Sequence, residues 1–161
     1  MIITPIFVVL MVIVFIAVWL FVNTIDKRKW LTFIISLILA PVVYFYLFYP
    51  MLNIFSNYHH EKHFDTEAWE DKPALRYEMA NEIISDSVLI GKQKSEITDL
   101  LGKPEWFSYD DALKANSSNN WNYNLGFKPG AFNKMQECLE IKFNKNKAES
   151  IRPYQLEKKF E

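Results

Sequence analysis

One cysteine, Cys138, stands in 161 residues, so an intrachain disulfide framework is excluded. Glycine and proline are also scarce, at 4 and 7 copies, which excludes a collagen-like repeat or a Pro/Gly-rich polymer. Neither sign of charge predominates. With 18 basic and 19 acidic residues the formal net charge is −1, and no basic excess exists to track a nucleic-acid backbone. The most informative shortage is local. Between residues 1 and 52 the charged side chains are Asp26, Lys27, Arg28 and Lys29, all in one short connector, and the other ionic groups follow residue 52. A chain divided in this way is not a wholly soluble enzyme.

What fills the first third is apolar sequence. Residues 2–22 (IITPIFVVLMVIVFIAVWLFV) carry no ionisable side chain, and at about 1.5 Å per residue a helix of this length spans roughly 30 Å, the thickness of bilayer hydrocarbon. Residues 31–52 (LTFIISLILAPVVYFYLFYPML) form a second such run, so 1–52 reads as two transmembrane helices folded back through the connector 23–29. A cleaved signal peptide fits poorly: no basic segment precedes the run, the run is too long, and no small-x-small site precedes Asn23. The sole cysteine lies too far along the chain to be a lipoprotein anchor. Lys27, Arg28 and Lys29 favour the cytoplasm, which puts both termini and the C-terminal domain outside an inner (cytoplasmic) membrane. Trp19 and Trp30 bracket the connector, and Tyr44, Tyr46 and Tyr49 gather toward the other interface. Pro41 is expected to kink the second span. Spans whose polar groups are Thr4, Thr32, Ser36 and the tyrosine hydroxyls, without charge, make a tether rather than a conduit.

Residues 53–64 read as a polar linker holding His59, His60, Glu61 and His63. A metal site needs such groups to converge about 2 Å from the ion and a second set of residues to hold them. No partner motif is present in the sequence, so a hydrated linker near lipid headgroups is the expected reading, with no cofactor.

From residue 65 to 161 the pattern is that of a folded domain. Asp65 or Thr66 caps a short turn, and Asp71-Lys72-Pro73 opens a helix whose apolar residues Leu75, Met79, Ala80, Ile83 and Ile84 recur at spacings of three and four. Arg76, Glu78 and Glu82 fall elsewhere on that wheel. A second helix is expected over 94–101, with Ile97, Leu100 and Leu101 inward, Gly102 at its C-terminal cap and Pro104 preventing its resumption. The period then changes to two. Residues 106–109 are expected to form one strand, 121–127 a second through Trp121, Tyr123, Leu125 and Phe127, and 138–143 a third. A polar loop is expected over 110–120, a turn at 144–147, and a short final strand over 148–151. Helices first and strands afterwards give an α+β class: a transmembrane helical hairpin, then two helices packed on a three- to four-stranded antiparallel sheet.

Several residues invite chemistry. Cys138 alternates with Leu139 and Ile141 and is expected to be partly exposed, yet no base is placed beside it. Asn116-Ser117-Ser118 matches a glycosylation acceptor inside the expected loop, and Asp110-Asp111 is a carboxylate pair without calcium-loop spacing. Loop solvation accounts for both.

At LIGKQKSEI (89–97), LLGKP (100–104) and Trp121-Asn122-Tyr123, the chain resembles the BamE (SmpA/OmlA-like) domain family. The likeness covers about residues 64–152. It implies that Gly91 turns the chain between helices, that Gly102 and Pro104 end the second helix, and that Trp121 and Tyr123 fill the sheet–helix core. Two departures stand out. Gln93 occupies the place where the family has a threonine or serine cap, and a two-span anchor replaces the family's lipidated cysteine. The resemblance implies a compact, non-catalytic extracytoplasmic module that binds proteins or envelope components.

The expected function is therefore a membrane-tethered interaction module of the bacterial cell envelope, neither enzyme nor nucleic-acid binder, with no small-molecule substrate. Its partners would be the lipid bilayer and another envelope protein. Phe127, Pro129 and Phe132 are the candidate contacts, because apolar residues on a turn have little core to enter. Two alternatives stand beside it: a metal-dependent envelope enzyme using the cluster from His59 to His63, and an accessory or sensor subunit of a larger membrane complex.

Overall fold

The computed structural model describes residues 1–85, 87–110 and 114–158. The chain forms two compact units, one of Met1–His60 with Pro129–Phe132, the other of Glu61–Lys128 with Asn133–Glu161.

The first unit is built on α1 (Pro5–Ile25), α2 (Lys29–Val43) and α3 (Tyr49–Phe55). Thr4 starts α1 by accepting the Phe7 N–H at 3.2 Å, and Pro5 occupies the first helical position, where a missing donor costs nothing. The helix runs three residues beyond the expected span. Thr24 returns its hydroxyl to the Phe21 carbonyl at 2.7 Å, and the break comes at Asp26, which accepts the Arg28 backbone N–H at 2.8 Å and its guanidinium at 2.7 Å. The Arg28 guanidinium holds the Asp26 carboxyl down at about 2. Helical backbone over Pro5–Ile25 and over Lys29–Phe55 is in each case long and apolar enough to cross a membrane.

The two runs meet along complementary stripes. Val14, Val18 and Val22 of α1 are buried, as are Thr32, Ser36 and Ala40 of α2, all at four-residue spacing. Small residues on one helix admit branched ones from the other. The polar atoms are consumed internally: Thr32 donates to Asn23 Oδ1 at 2.7 Å and Ser36 to the Thr32 carbonyl at 2.7 Å. Pro41 does not end the helix. The backbone stays helical through it and then widens to a π turn over Tyr44–Phe48, closed by the Tyr49 N–H on the Tyr44 carbonyl.

In the second unit, α4 (Thr66–Asp71) is capped by Asp65, which accepts the Ala68 N–H at 2.8 Å. The helix expected from Pro73 is instead a single 3₁₀ turn, Pro73–Leu75, followed after Arg76 by α5 (Tyr77–Ser85). The interruption places Arg76 inward, where the wheel had placed it outward. Met79, Ala80 and Ile83 of α5 are buried as the spacing predicts. The second helix is α6 (Lys94–Leu101), at the expected limits. Its weak cap is reinforced by Glu96, whose carboxylate accepts the Gln93 N–H at 2.7 Å.

Four antiparallel strands follow in the order β1-β2-β3-β4: β1 (Trp106–Asp110), β2 (Ala115–Phe127), β3 (Met135–Asn144) and β4 (Lys147–Glu157). The architecture is α+β, helices then sheet. Two elements exceed their expected lengths. β2 begins at Ala115, so Asn116 and Ser117 belong to a strand paired with β1 and not to a solvated loop; residues 111–113 of that loop lie outside the described residues. β4 continues to Glu157, paired with β3 as far as Met135. Lys145 and Asn146, at φ 48° and 68°, form the tight turn between β3 and β4.

One face of the sheet carries Trp121, Tyr123, Leu139, Ile141 and Phe143 into a core shared with Trp69, Ile83, Ile97 and Leu101. The opposite face carries a hydrogen-bonded polar layer. Asn122 is wholly buried there, donating to Ser108 Oγ at 2.7 Å and accepting from the Tyr154 hydroxyl at 2.8 Å, while Arg152 pairs with Glu140 at 3.0 Å. Cys138 lies in this layer and is buried, contrary to the exposure expected of it; its burial pushes the thiol up to about 11.

Candidate binding cleft

β2 carries a bulge between Asn124 and Gly126, and Leu125 between them lines a cleft. Gly126 takes φ 90°, and a β-carbon there would stand 2.1 Å from the Ala74 carbonyl oxygen. The strand thus lies against the 3₁₀ turn, and Leu125 enters the core. The bulge also reverses the alternation. Phe127, expected to continue the inward series, pairs with Gln136 on the polar face and is 36% exposed.

Tyr77, Ala80, Asn81 and Ile84, all on one face of α5, stand across a space of about 490 Å³ from Glu137 of β3 and from Pro153 and Gln155 of β4. Lys128 and Leu125 also line it. Glu137 is 8% exposed and is satisfied in place: Gln155 Nε2 donates at 2.7 Å and Lys128 Nζ lies at 3.5 Å. The cleft therefore offers an apolar wall with a carboxylate, an ammonium and two amides at fixed positions. Such a surface recognises by shape and hydrogen bonding. Pro153 lacks an N–H on the edge strand, which disfavours simple strand addition there.

The histidines go to separate partners. His59 Nδ1 lies 3.2 Å from the Asn57 carbonyl. His60 sits among rings, stacked on Tyr49 at 4.6 Å with Phe7, Phe45 and Tyr58 at 5.3–5.7 Å. His63 Nδ1 meets Glu82 Oε1 at 2.9 Å. Among the described residues no three His, Cys, Asp or Glu side chains gather to hold a metal ion.

Residues 61–64 are fastened to α5 instead of being merely hydrated. Glu61 accepts from Asn81 Nδ2 at 2.9 Å, the Lys62 N–H donates to the Glu78 carbonyl at 2.8 Å and its ammonium pairs with Glu78 at 2.5 Å, and Phe64 N–H donates to Glu82. The signal in sequence is the series Glu78, Asn81, Glu82 on one helix face, but nothing local says what it holds.

The residues on which the resemblance was read occupy structural positions. Gly91, at φ 81°, donates its N–H to the Ala148 carbonyl at 2.8 Å, so it pairs with the start of β4 as well as turning the chain. Gly102, at φ 74°, closes α6 and its carbonyl accepts the Tyr123 hydroxyl at 3.0 Å; Pro104 follows outside the helix. Trp121 packs on Phe143 at 4.7 Å and Tyr123 is wholly buried. Pro129 is half-buried, and Phe132 is 83% exposed. None of these, Phe127 included, lines the cleft. No protein-family model matches the chain, and neither the curated proteins nor the solved structures include a significant match to it.

Proposed function

We propose that this chain is a membrane-anchored docking module of the bacterial envelope, held by its two apolar helices in the inner membrane and presenting the α+β domain on the extracytoplasmic side. The three cations of the connector support that orientation. The BamE-like character expected from the sequence belongs to the same reading, that of a binding module and not an enzyme. The observation that carries it is the cleft between α5 and the β3–β4 end of the sheet, about 490 Å³, with Ala80, Ile84 and Pro153 beside the Glu137–Lys128–Gln155 set. Its occupant is a protein segment bringing an apolar side chain and hydrogen-bonding backbone. Metal-dependent hydrolysis finds no ligand set among the described residues.

A photo-crosslinking side chain at Ile84, compared with one at Lys145 in the β3–β4 turn, tests the reading in intact cells. A discrete adduct is expected from Ile84 alone, and Glu137→Gln should diminish it without changing the circular dichroism. Identical adducts from both sites would defeat the cleft as a docking place. A Lys145→Cys variant should react with an impermeant maleimide in intact spheroplasts, and reaction only after lysis would reverse the orientation.

A further inference from the structure

Between β2 and β3 the chain makes a short excursion whose neck is closed from within. Asn133 Nδ2 donates to the Lys128 carbonyl at 2.8 Å and Asn133 Oδ1 accepts the Met135 N–H at 2.9 Å. The tip so presented is Pro129-Gly130-Ala131-Phe132, four residues without a polar side chain, and Phe132 is 83% exposed. A phenylalanine ring left in water on a pinned loop has a large unrealised transfer free energy. The nearest charged side chains on either side are Lys128 and Lys134, both cationic. Pro129–Phe132 belong to the compact unit that carries the apolar helices, unlike the strands they connect.

An apolar tip beside a lysine matches a bilayer interface, where the ring enters the acyl boundary and the Lys134 ammonium meets anionic headgroups, Lys128 being turned to Glu137. We propose that Pro129–Phe132 is a third membrane contact, in which Phe132 inserts into the interface of the same bilayer that the helical hairpin spans. The inference rests on the membrane-anchored reading and assigns lipid, not a protein partner, to this loop. With the helices as tether, the insertion adds to the anchoring rather than supplying it.

The test uses the full chain in vesicles of phosphatidylcholine and phosphatidylserine, with Cys138→Ser as background and an environment-sensitive nitrobenzoxadiazole probe on one introduced cysteine at a time. Phe132→Cys is the test site, Leu20→Cys reports the first helix, and Lys145→Cys, at the opposite end of β3, reports the aqueous side. Headgroup-proximal spin-labelled lipid should quench the Phe132 probe about twofold, on the scale of an interfacial side chain, and leave the Lys145 probe unchanged. Quenching at Leu20 but not at Phe132 overturns the loop contact alone. No quenching at Leu20 by shallow or deep spin labels overturns the membrane-anchored reading itself. A blue-shifted but unquenched Phe132 probe means that protein covers the ring, which also overturns the proposal.

Discussion

Arg76 Nη1 stands 2.5 Å from Glu105 Oε1, a pair 29 residues apart in sequence. The same guanidinium donates to the carbonyls of Trp69 at 2.7 Å and Asn124 at 3.2 Å, and lies 4.9 Å from the centre of the Trp69 ring. Glu105 uses its other oxygen to accept the Asn124 N–H at 3.1 Å. One planar cation thus ties α4, the break before α5 and the middle of β2 to one another.

Replacing Arg76 strands two carbonyls and a carboxylate, so Arg76→Ala should lower the stability of the second unit by about 3 kcal/mol. Arg76→Lys should recover only part of this, because an ammonium lacks the fork that reaches Trp69 and Glu105 together. Glu105 is 36% exposed and water can replace much of what it offers, so Glu105→Gln should cost about 1 kcal/mol. Urea unfolding of the full chain in detergent, followed by tryptophan fluorescence, reads all three. Equal losses for Arg76→Ala and Glu105→Gln would reduce the pair to a surface contact.

Two glycines with similar backbone should respond differently to the same substitution. Gly91 has φ 81° and nothing within 4 Å of a β-carbon, so Gly91→Ala should cost only the conformational strain, about 1 kcal/mol. At Gly126 the added carbon meets backbone at Ala74, which cannot swing aside as a flexible side chain does. Gly126→Ala should therefore cost several times more, about 3 kcal/mol or greater, and should open the packing of β2 on the 3₁₀ turn. Similar unfolding midpoints for the two variants would refute the close approach.

The contrast between these glycines shows what sequence could and could not convey. Gly102 was legible because a helix end dictates its residue type locally, and the limits of α6 followed from the same signals. Trp121, Tyr123, Leu139 and Ile141 were legible because a half-buried strand alternates. Gly126 was not, since its constraint comes from Ala74, more than fifty residues earlier. The early start of β2 was hidden because both faces there are polar: Ser117, Asn120 and Asn122 are buried without being apolar. The continuation of β4 beyond Ile151 was hidden because its residues there are largely polar and charged, but pairs such as Arg152 with Glu140 and Gln155 with Glu137 match them to β3. The cleft left no pattern of its own, because it is a space between one face of α5 and residues of β3 and β4 that lie more than fifty positions away in sequence.

The last prediction concerns residues 61–64 and α5. Glu82 accepts a hydrogen bond at the His63 ring and the Phe64 backbone N–H, and these, His63 first, hold its carboxyl below its ordinary value of 4.5. A depressed carboxylate stabilises the folded arrangement fully above its ordinary value, and that contribution disappears as pH falls through the lowered one. The fastening of residues 61–64 should therefore be intact at neutral pH, persist at pH 4.5, and loosen only in stronger acid. Titrating the Phe64 amide resonance of the full chain in micelles measures this directly. Its midpoint should lie below 4.5 and rise in His63→Ala, while in Glu82→Gln the carboxyl titration should vanish from the Phe64 signal. A wild-type midpoint at or above 4.5 would mean that Glu82 is a solvated surface carboxylate and that His63 and Phe64 do not share it.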